Sequence, residues 1–277
     1  GKGKKNKKCL KNTRANMNLC TVLSESFIPQ AVNLIQSYMI NSYAKKAYVY
    51  HFNCDPKKIN ALNDLYGDKI VVKQVPNDCL HAYEPRVFYY KTYAISDCLL
   101  NSDEDIIYSD SSNCFIKKYD IKKDIRDGAI FLPYTHPILS NKYWTTKACF
   151  EKLKAVEAMN EAQYWAGFQV YENNIKNKDF VHEMHKMMKE KAVALPDTSV
   201  KSPDGASSPC IEHRQDQSAL SLLIHKHGRH QDFNHAINSR YGDWQTMQYF
   251  DKTYIHDFSQ MVLSPRESKF GQFRYLR

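Results

Sequence analysis

Nothing in this 277-residue sequence approaches the roughly 18 consecutive apolar residues of a membrane span, and no signal-peptide pattern opens it. No two of its eight cysteines (Cys9, Cys20, Cys54, Cys79, Cys98, Cys114, Cys149 and Cys210) stand at the two-to-four-residue spacing of a zinc knuckle, so a cysteine metal cluster is not expected. Several lie inside apolar runs, as Cys20 does in LCTVL and Cys98 in ISDCLL, where a reduced thiol acts as a small core residue. That usage points to a reducing compartment and a soluble, cytoplasmic protein. Histidines at the i, i+4 metal spacing are missing too. His225, His227, His230 and His235 crowd together, but the first two are two residues apart, off a common helix face, and read as a solvated helix end. There is no internal repeat and no shift of composition that would mark a domain boundary.

Acidic residues are absent from the first 24 positions, while Lys2, Lys4, Lys5, Lys7, Lys8, Lys11 and Arg14 all fall there. Those seven account for most of the net charge of +9 and leave +2 for the remainder. The excess of positive charge therefore describes residues 1–16, a basic flexible tail suited to peripheral membrane association, and nucleic acid is not expected as a partner of the domain at 17–277. With 43% hydrophobic and 25% charged residues, the composition is that of an ordinary globular protein.

The first half alternates short strands with amphipathic helices. LCTVL (19–23) reads as a buried strand, and Phe27, Ala31, Leu34, Ile35 and Tyr38 follow at helical steps. AYVYHF (47–52) is a second strand. A helix from Pro56 to Tyr66 comes next, with the proline suited to its first turn and Gly67 to its end. Strand 69–75, helix 88–100 and strand 105–109 continue the alternation, which predicts a mostly parallel sheet covered on both faces. In the second half, 129–134 and 163–172 read as strands and 177–192 and 216–227 as helices. Between them, residues 195–209 are rich in proline, serine, glycine and aspartate and read as a mobile loop.

Asp110 directly follows an apolar strand in IIYSDSSN (106–113). A side chain leaving the carboxyl end of a parallel strand points into the crevice where α/β sheets bind ligands, and a carboxylate there can accept from ribose hydroxyls or hold a metal against a diphosphate. The competing reading is a plain strand-ending turn, which aspartate and serine also favour. Upstream, Arg86 and Lys91 lie among aromatics in PRVFYYKTYAISDCLL (85–100), and a cation and a ring near the Asp110 strand would suit a nucleotide diphosphate. By itself Lys91 reads as a solvated helix face.

The succession YYKTYAISDCLL, DEDIIYSDSSN, YWTTKACFEKL, QYWAGFQVYENN and HRQDQSALSLL resembles the glycosyltransferases of GT-A fold that carry a degenerate Asp-X-Asp element, over residues 85 to 228. The resemblance implies a Rossmann-type three-layer α/β sandwich with a nucleotide-binding half at about 17–115 and an acceptor and catalytic half at about 116–277. It implies a nucleotide-sugar donor, commonly a UDP-sugar, held between the N-terminal strands and Asp110, Ser111 and Ser112, and a glycan or glycoprotein acceptor. Ser112 stands where the full motif has its second aspartate, which leaves open whether Asp110 binds Mn²⁺ or Mg²⁺ or whether Lys91, Arg86 and helix N-termini neutralise the diphosphate without an ion.

In HRQDQSALSLLIHKHG (213–228), Ala219, Leu220, Leu223 and Ile224 form an apolar stripe, so Asp216 falls in the first turn of a helix ending near Gly228. There it is either a stabilising N-terminal carboxylate or the group facing the sugar, a base if transfer inverts and a donor-sugar contact if it retains. Asp216 is the preferred catalytic candidate, with Glu212 second. His213 and Gln217 are expected to contact sugar or phosphate, and Arg214 to pair with Glu212. Ala166 and Gly167, the small pair in an aromatic strand, would let a sugar approach the backbone, with Trp165 as an acceptor platform; a bulge or packing need would explain them equally. The loop at 195–209 would order over the donor. A non-catalytic carbohydrate- or nucleotide-binding module of the same fold is the rival reading.

Overall fold

A computed structural model describes residues 17–41, 46–84, 87–113, 115, 121–134, 137–195 and 210–231. The basic tail, Arg86, most of the 195–209 loop, His235 and His256 lie outside the described residues.

Six strands form one sheet: β1 (Met17–Leu23), β2 (Ala47–His51), β3 (Ile70–Gln74), β4 (Asp105–Ser109), β5 (Ala129–Pro133) and β6 (Tyr164–Tyr171). Their order is β3-β2-β1-β4-β6-β5. β1 to β4 are mutually parallel, whereas β6 runs antiparallel to both of its neighbours. β1 is central and buried along its whole length, which is why it reads as a continuous apolar run rather than an alternating one.

The pleat of the central strands divides the core in two. Met17, Leu19 and Leu23 face α1 (Ile28–Asn41) and α2 (Pro56–Tyr66), while Cys20 and Val22 face α3 (Tyr89–Asn101), α6 (Ile175–Met188) and α8 (Gln215–Lys226). This is the Rossmann-type three-layer α/β sandwich with a mostly parallel central sheet expected from the sequence. α2 is set locally: the Asp55 side chain accepts from the Lys57 amide at 2.9 Å, Pro56 opens the helix, and Gly67 ends it with φ of 57°. Short helices α4 (Asn141–Trp144), α5 (Lys147–Leu153) and α7 (Lys191–Ala194) complete the described half beyond β5. The helix expected over 177–192 is α6 followed by a turn and α7, with Lys189 and Glu190 between them.

α8 is buried on every side from Asp216 to Ile224, so its polar residues must find partners inside the protein. Most do. Gln217 donates to the Gln163 side chain, Ser218 to the Trp144 carbonyl, and Ser221 accepts from the Tyr164 amide while donating to the Gln217 carbonyl. Asp216 alone of this set is directed at a charge.

Candidate active site

The chain leaves β1 to build β2 and β3 on one side and returns to place β4 on the other, so the carboxyl ends of β1 and β4 flank the point where strand order reverses. Ligands of open α/β sheets bind there. A pocket of about 360 Å³ occupies that position, lined by Ser24 beyond β1, Phe52 beyond β2, Phe88 just before α3 and Lys91 within it, and Asp110, Ser111 and Ser112 beyond β4. A second, shallower groove of about 530 Å³ shares Ser24 and Phe52 with it and adds Lys58 and Tyr83. The Phe52 and Tyr90 rings stack at 4.2 Å and form an aromatic wall.

Lys91 is the centre of the charge arrangement. Its ammonium lies 3.1 Å from Oδ1 of Asp110 and 2.8 Å from Oδ2 of Asp216, although the lysine is only 5% exposed. The Phe88 ring is 5.0 Å away and the Tyr108 ring 5.8 Å. Burial by itself pulls the Lys91 pKa down, but the two carboxylates outweigh it and hold the ammonium above its ordinary value. Asp216 is also buried, and that desolvation raises its pKa despite the opposing pull of Lys91. Its Oδ2 meets the ammonium as an ion pair without the alignment of a hydrogen bond. Phe88, which precedes α3, sits at φ of 54°, a left-handed conformation costing a bulky residue about 1–3 kcal/mol. That conformation brings its ring over the lysine.

Asp110 is fixed from three directions. Tyr108, two residues earlier on β4 and fully buried, donates to Oδ1 at 2.8 Å; the Asp110 amide donates to the Gly167 carbonyl at 2.9 Å; and Asn113 donates to that same carbonyl at 3.0 Å. The small residue of β6 is needed here for Asp110 itself. A Cβ on Gly167 would stand 2.8 Å from Asp110 Oδ2 and 2.5 Å from Trp165 Nε1, so the cleared space holds a carboxylate and an indole rather than a sugar.

The remaining expected contacts divide. Ser111 and Ser112 line the pocket with Asp110, and Asp216 meets Lys91 without lining it. Ala166 is buried in the core, contrary to a role in sugar approach. His213 is 3% exposed, bonded through Nε2 to the Val193 carbonyl and through Nδ1 to the Thr146 amide; burial pushes its pKa down to about 4, so it is a neutral clamp on α7 and α5 rather than a phosphate contact. The Gln217 amide is spent on Gln163. Glu212 is exposed on the segment before α8, and Arg214 stacks on Trp144 rather than pairing with it. His225 and His227 are likewise engaged, the first with the Ala162 carbonyl and the second with Glu183.

Tyr108, Phe52, Tyr90 and Phe27 are pocket residues that sequence reasoning placed only in strands and helices. The alternation Tyr108, Asp110 along β4 was a signal for the first, because residues two apart on a strand share a face. For a divalent cation the described side chains offer few donors. Among the described residues no three His, Cys, Asp or Glu side chains converge, and Asp110 offers one carboxylate whose Oδ1 is already engaged by Tyr108 and Lys91. Hard cations take six or more oxygens, and a Mg²⁺ site draws most of them from water and substrate phosphates, so Asp110 would supply one carboxylate to such a set.

No protein-family model matches the chain, and no curated protein does. Among solved structures it is similar to the apo form of WbbM, a bifunctional glycosyltransferase, at 9% identity and a TM-score of 0.47. The match covers 76% of this chain and 37% of the other, so the chain spans little more than a third of that protein's length.

Proposed function

We propose that the protein is a glycosyltransferase that moves a sugar from a nucleotide-sugar donor, a UDP-sugar in the first instance, to a hydroxyl of a glycan or glycoprotein. The observation that carries this reading is the Lys91 ammonium set between Asp110 and Asp216 at the sheet's switch point, beside a pocket with an aromatic wall. The nucleoside would lie against Phe52 and Tyr90. Its diphosphate would extend toward Lys91, Ser111 and Ser112, and Asp110 would accept from hydroxyls of the ribose or the sugar.

In the reaction, the bond from the anomeric carbon to the distal phosphate oxygen breaks and its electron pair leaves with the nucleoside diphosphate. The acceptor oxygen forms the new bond to that carbon and gives up its proton. Lys91 offsets the charge growing on the leaving diphosphate, and Asp216, whose pKa burial raises above the ordinary carboxylate value, takes the proton. Because Asp216 does not line the donor pocket, the acceptor would reach it from the other flank of Lys91.

Asp216→Asn tests the assignment. Donor binding should persist in calorimetry while transfer falls by roughly 100-fold or more. Loss of binding together with transfer would reduce Asp216 to the anchor of Lys91. Ser112, in place of a second aspartate, favours the rival reading of a binding module without catalysis, in which the wild-type chain binds nucleotide sugar and transfers none.

A further inference from the structure

Arg214 immediately precedes α8, two residues before Asp216, and its place is fixed by the backbone. Its amide donates to the Trp144 carbonyl at 3.1 Å, its own carbonyl accepts from Ser218, and the Ser218 hydroxyl donates to the same Trp144 carbonyl at 2.7 Å. The guanidinium carbon lies 3.8 Å from the centre of the Trp144 ring. Among the described residues that side chain donates no hydrogen bond and pairs with no carboxylate. Arg229, which also sits over aromatic rings, contrasts with it: its Nη2 donates to the Asp127 carbonyl and the Asn177 side chain, and its Nε lies 3.4 Å from the Asp127 carboxylate.

The location is specific. The Tyr134 hydroxyl, its pKa pushed up to about 12 by burial, lies within electrostatic reach of Arg214, Asp110, Lys91 and Asp216 together. Yet neither Arg214, Trp144 nor Tyr134 lines the pocket between β1 and β4. Arg214 therefore lies outside that pocket, two residues along the chain from the carboxylate that meets Lys91. Lys142, beside the Tyr143 ring, adds a second cation on α4. A guanidinium held flat by an aromatic ring keeps its fork of edge donors free for a planar two-oxygen anion.

We propose that Arg214 determines acceptor specificity by binding a carboxylate or phosphate carried on the acceptor sugar, so that the acceptor is an anionic glycan. The term acceptor rests on the glycosyltransferase reading above; the anion site does not.

The test titrates the full chain with glucuronate, glucose 6-phosphate and glucose, followed by tryptophan fluorescence, in the wild type, Arg214→Gln and Arg214→Lys, with UDP as a separate ligand. At least one anionic sugar should bind roughly tenfold or more tighter than glucose; Arg214→Gln should abolish that difference, Arg214→Lys should keep part of it, and UDP affinity should not move. The better of glucuronate and glucose 6-phosphate names the anion. Equal binding of glucose and both anions, or anion binding unchanged in Arg214→Gln, overturns the proposal. So does an equal loss of UDP affinity, which would place Arg214 on the donor. Failure of the wild type to bind UDP would tell against the glycosyltransferase reading and leave the anion result standing.

Discussion

The ammonium of Lys91 lies 2.8 Å from the carboxylate of Asp216, with both side chains 7% exposed. One belongs to α3 and the other to the first turn of α8, so a single ion pair ties the helix beside the pocket between β1 and β4 to the helix that follows the Arg214 segment. The same ammonium reaches Asp110 at the end of β4, and three separate elements thereby share one charge.

Removing that charge should damage the fold as well as the site. Lys91→Met leaves Asp216 buried without its partner, which costs about 3–5 kcal/mol. For a domain of this size the melting temperature should fall by on the order of 10 °C in a calorimetric scan, and donor binding should be lost. An unchanged melting temperature would show that the pair contributes no net stability.

The pH dependence follows from the directions of the two shifts. Asp216 is raised above its ordinary 3.8 by burial, so the rate of transfer should climb with pH through a midpoint above that value, and Asp216→Asn should lack this acidic limb. Lys91 is held above its ordinary 10.5, so the ammonium persists across the neutral range. For stability the sign is opposite to the usual carboxylate. The Asp216 contribution is full below 3.8 and is lost as pH rises through the folded value, so the stability of Asp216→Asn relative to wild type should improve over that interval. Denaturant unfolding at several pH values measures it.

Gly167→Ala should disable Asp110 from the neighbouring strand. The new methyl group would sit 2.8 Å from the Asp110 carboxylate and 2.5 Å from the Trp165 indole nitrogen, so one or both must move. A cost of about 1–3 kcal/mol is expected, with weakened nucleotide binding. Wild-type affinity in this variant would mean that the Asp110 position is not critical.

Tyr108→Phe removes the hydroxyl that donates to Asp110 Oδ1 at 2.8 Å and leaves the ring in place. Stability should drop by about 1 kcal/mol and nucleotide affinity by several-fold, because Asp110 is then held by its backbone and Lys91 alone. Circular dichroism and calorimetry separate the two effects; unchanged affinity would show that Tyr108 does not position the carboxylate.

The strands and helices of the first half of the chain were legible because their patterns are local: β1 is a fully buried run, Pro56 and Gly67 bracket α2, and Asp110 stands at a strand end. Two strands later the sequence is silent on direction, since an antiparallel β6 and a parallel one bury the same residues. Lys91 shows the deeper limit. On helical periodicity alone it reads as solvated, and only the tertiary approach of Asp110 and Asp216 makes its burial tolerable. Gly167 was recognised as a place of close approach, but what approaches it is Asp110, a partner 57 positions away that no local pattern identifies. His213 lies three residues before Asp216 and Gln217 next to it, yet they point to α5, α7 and Gln163 instead.

The most direct measurement is the thermal shift produced by UDP, GDP and their sugars, each with Mn²⁺ and with chelator, on the wild type and on Asp110→Asn. A ligand that binds the native state raises its melting temperature by mass action. The account predicts a selective rise with one nucleotide and its sugars, largely retained in chelator, and its loss in Asp110→Asn. No response from the wild type to any nucleotide, or an equal response from Asp110→Asn, would contradict it.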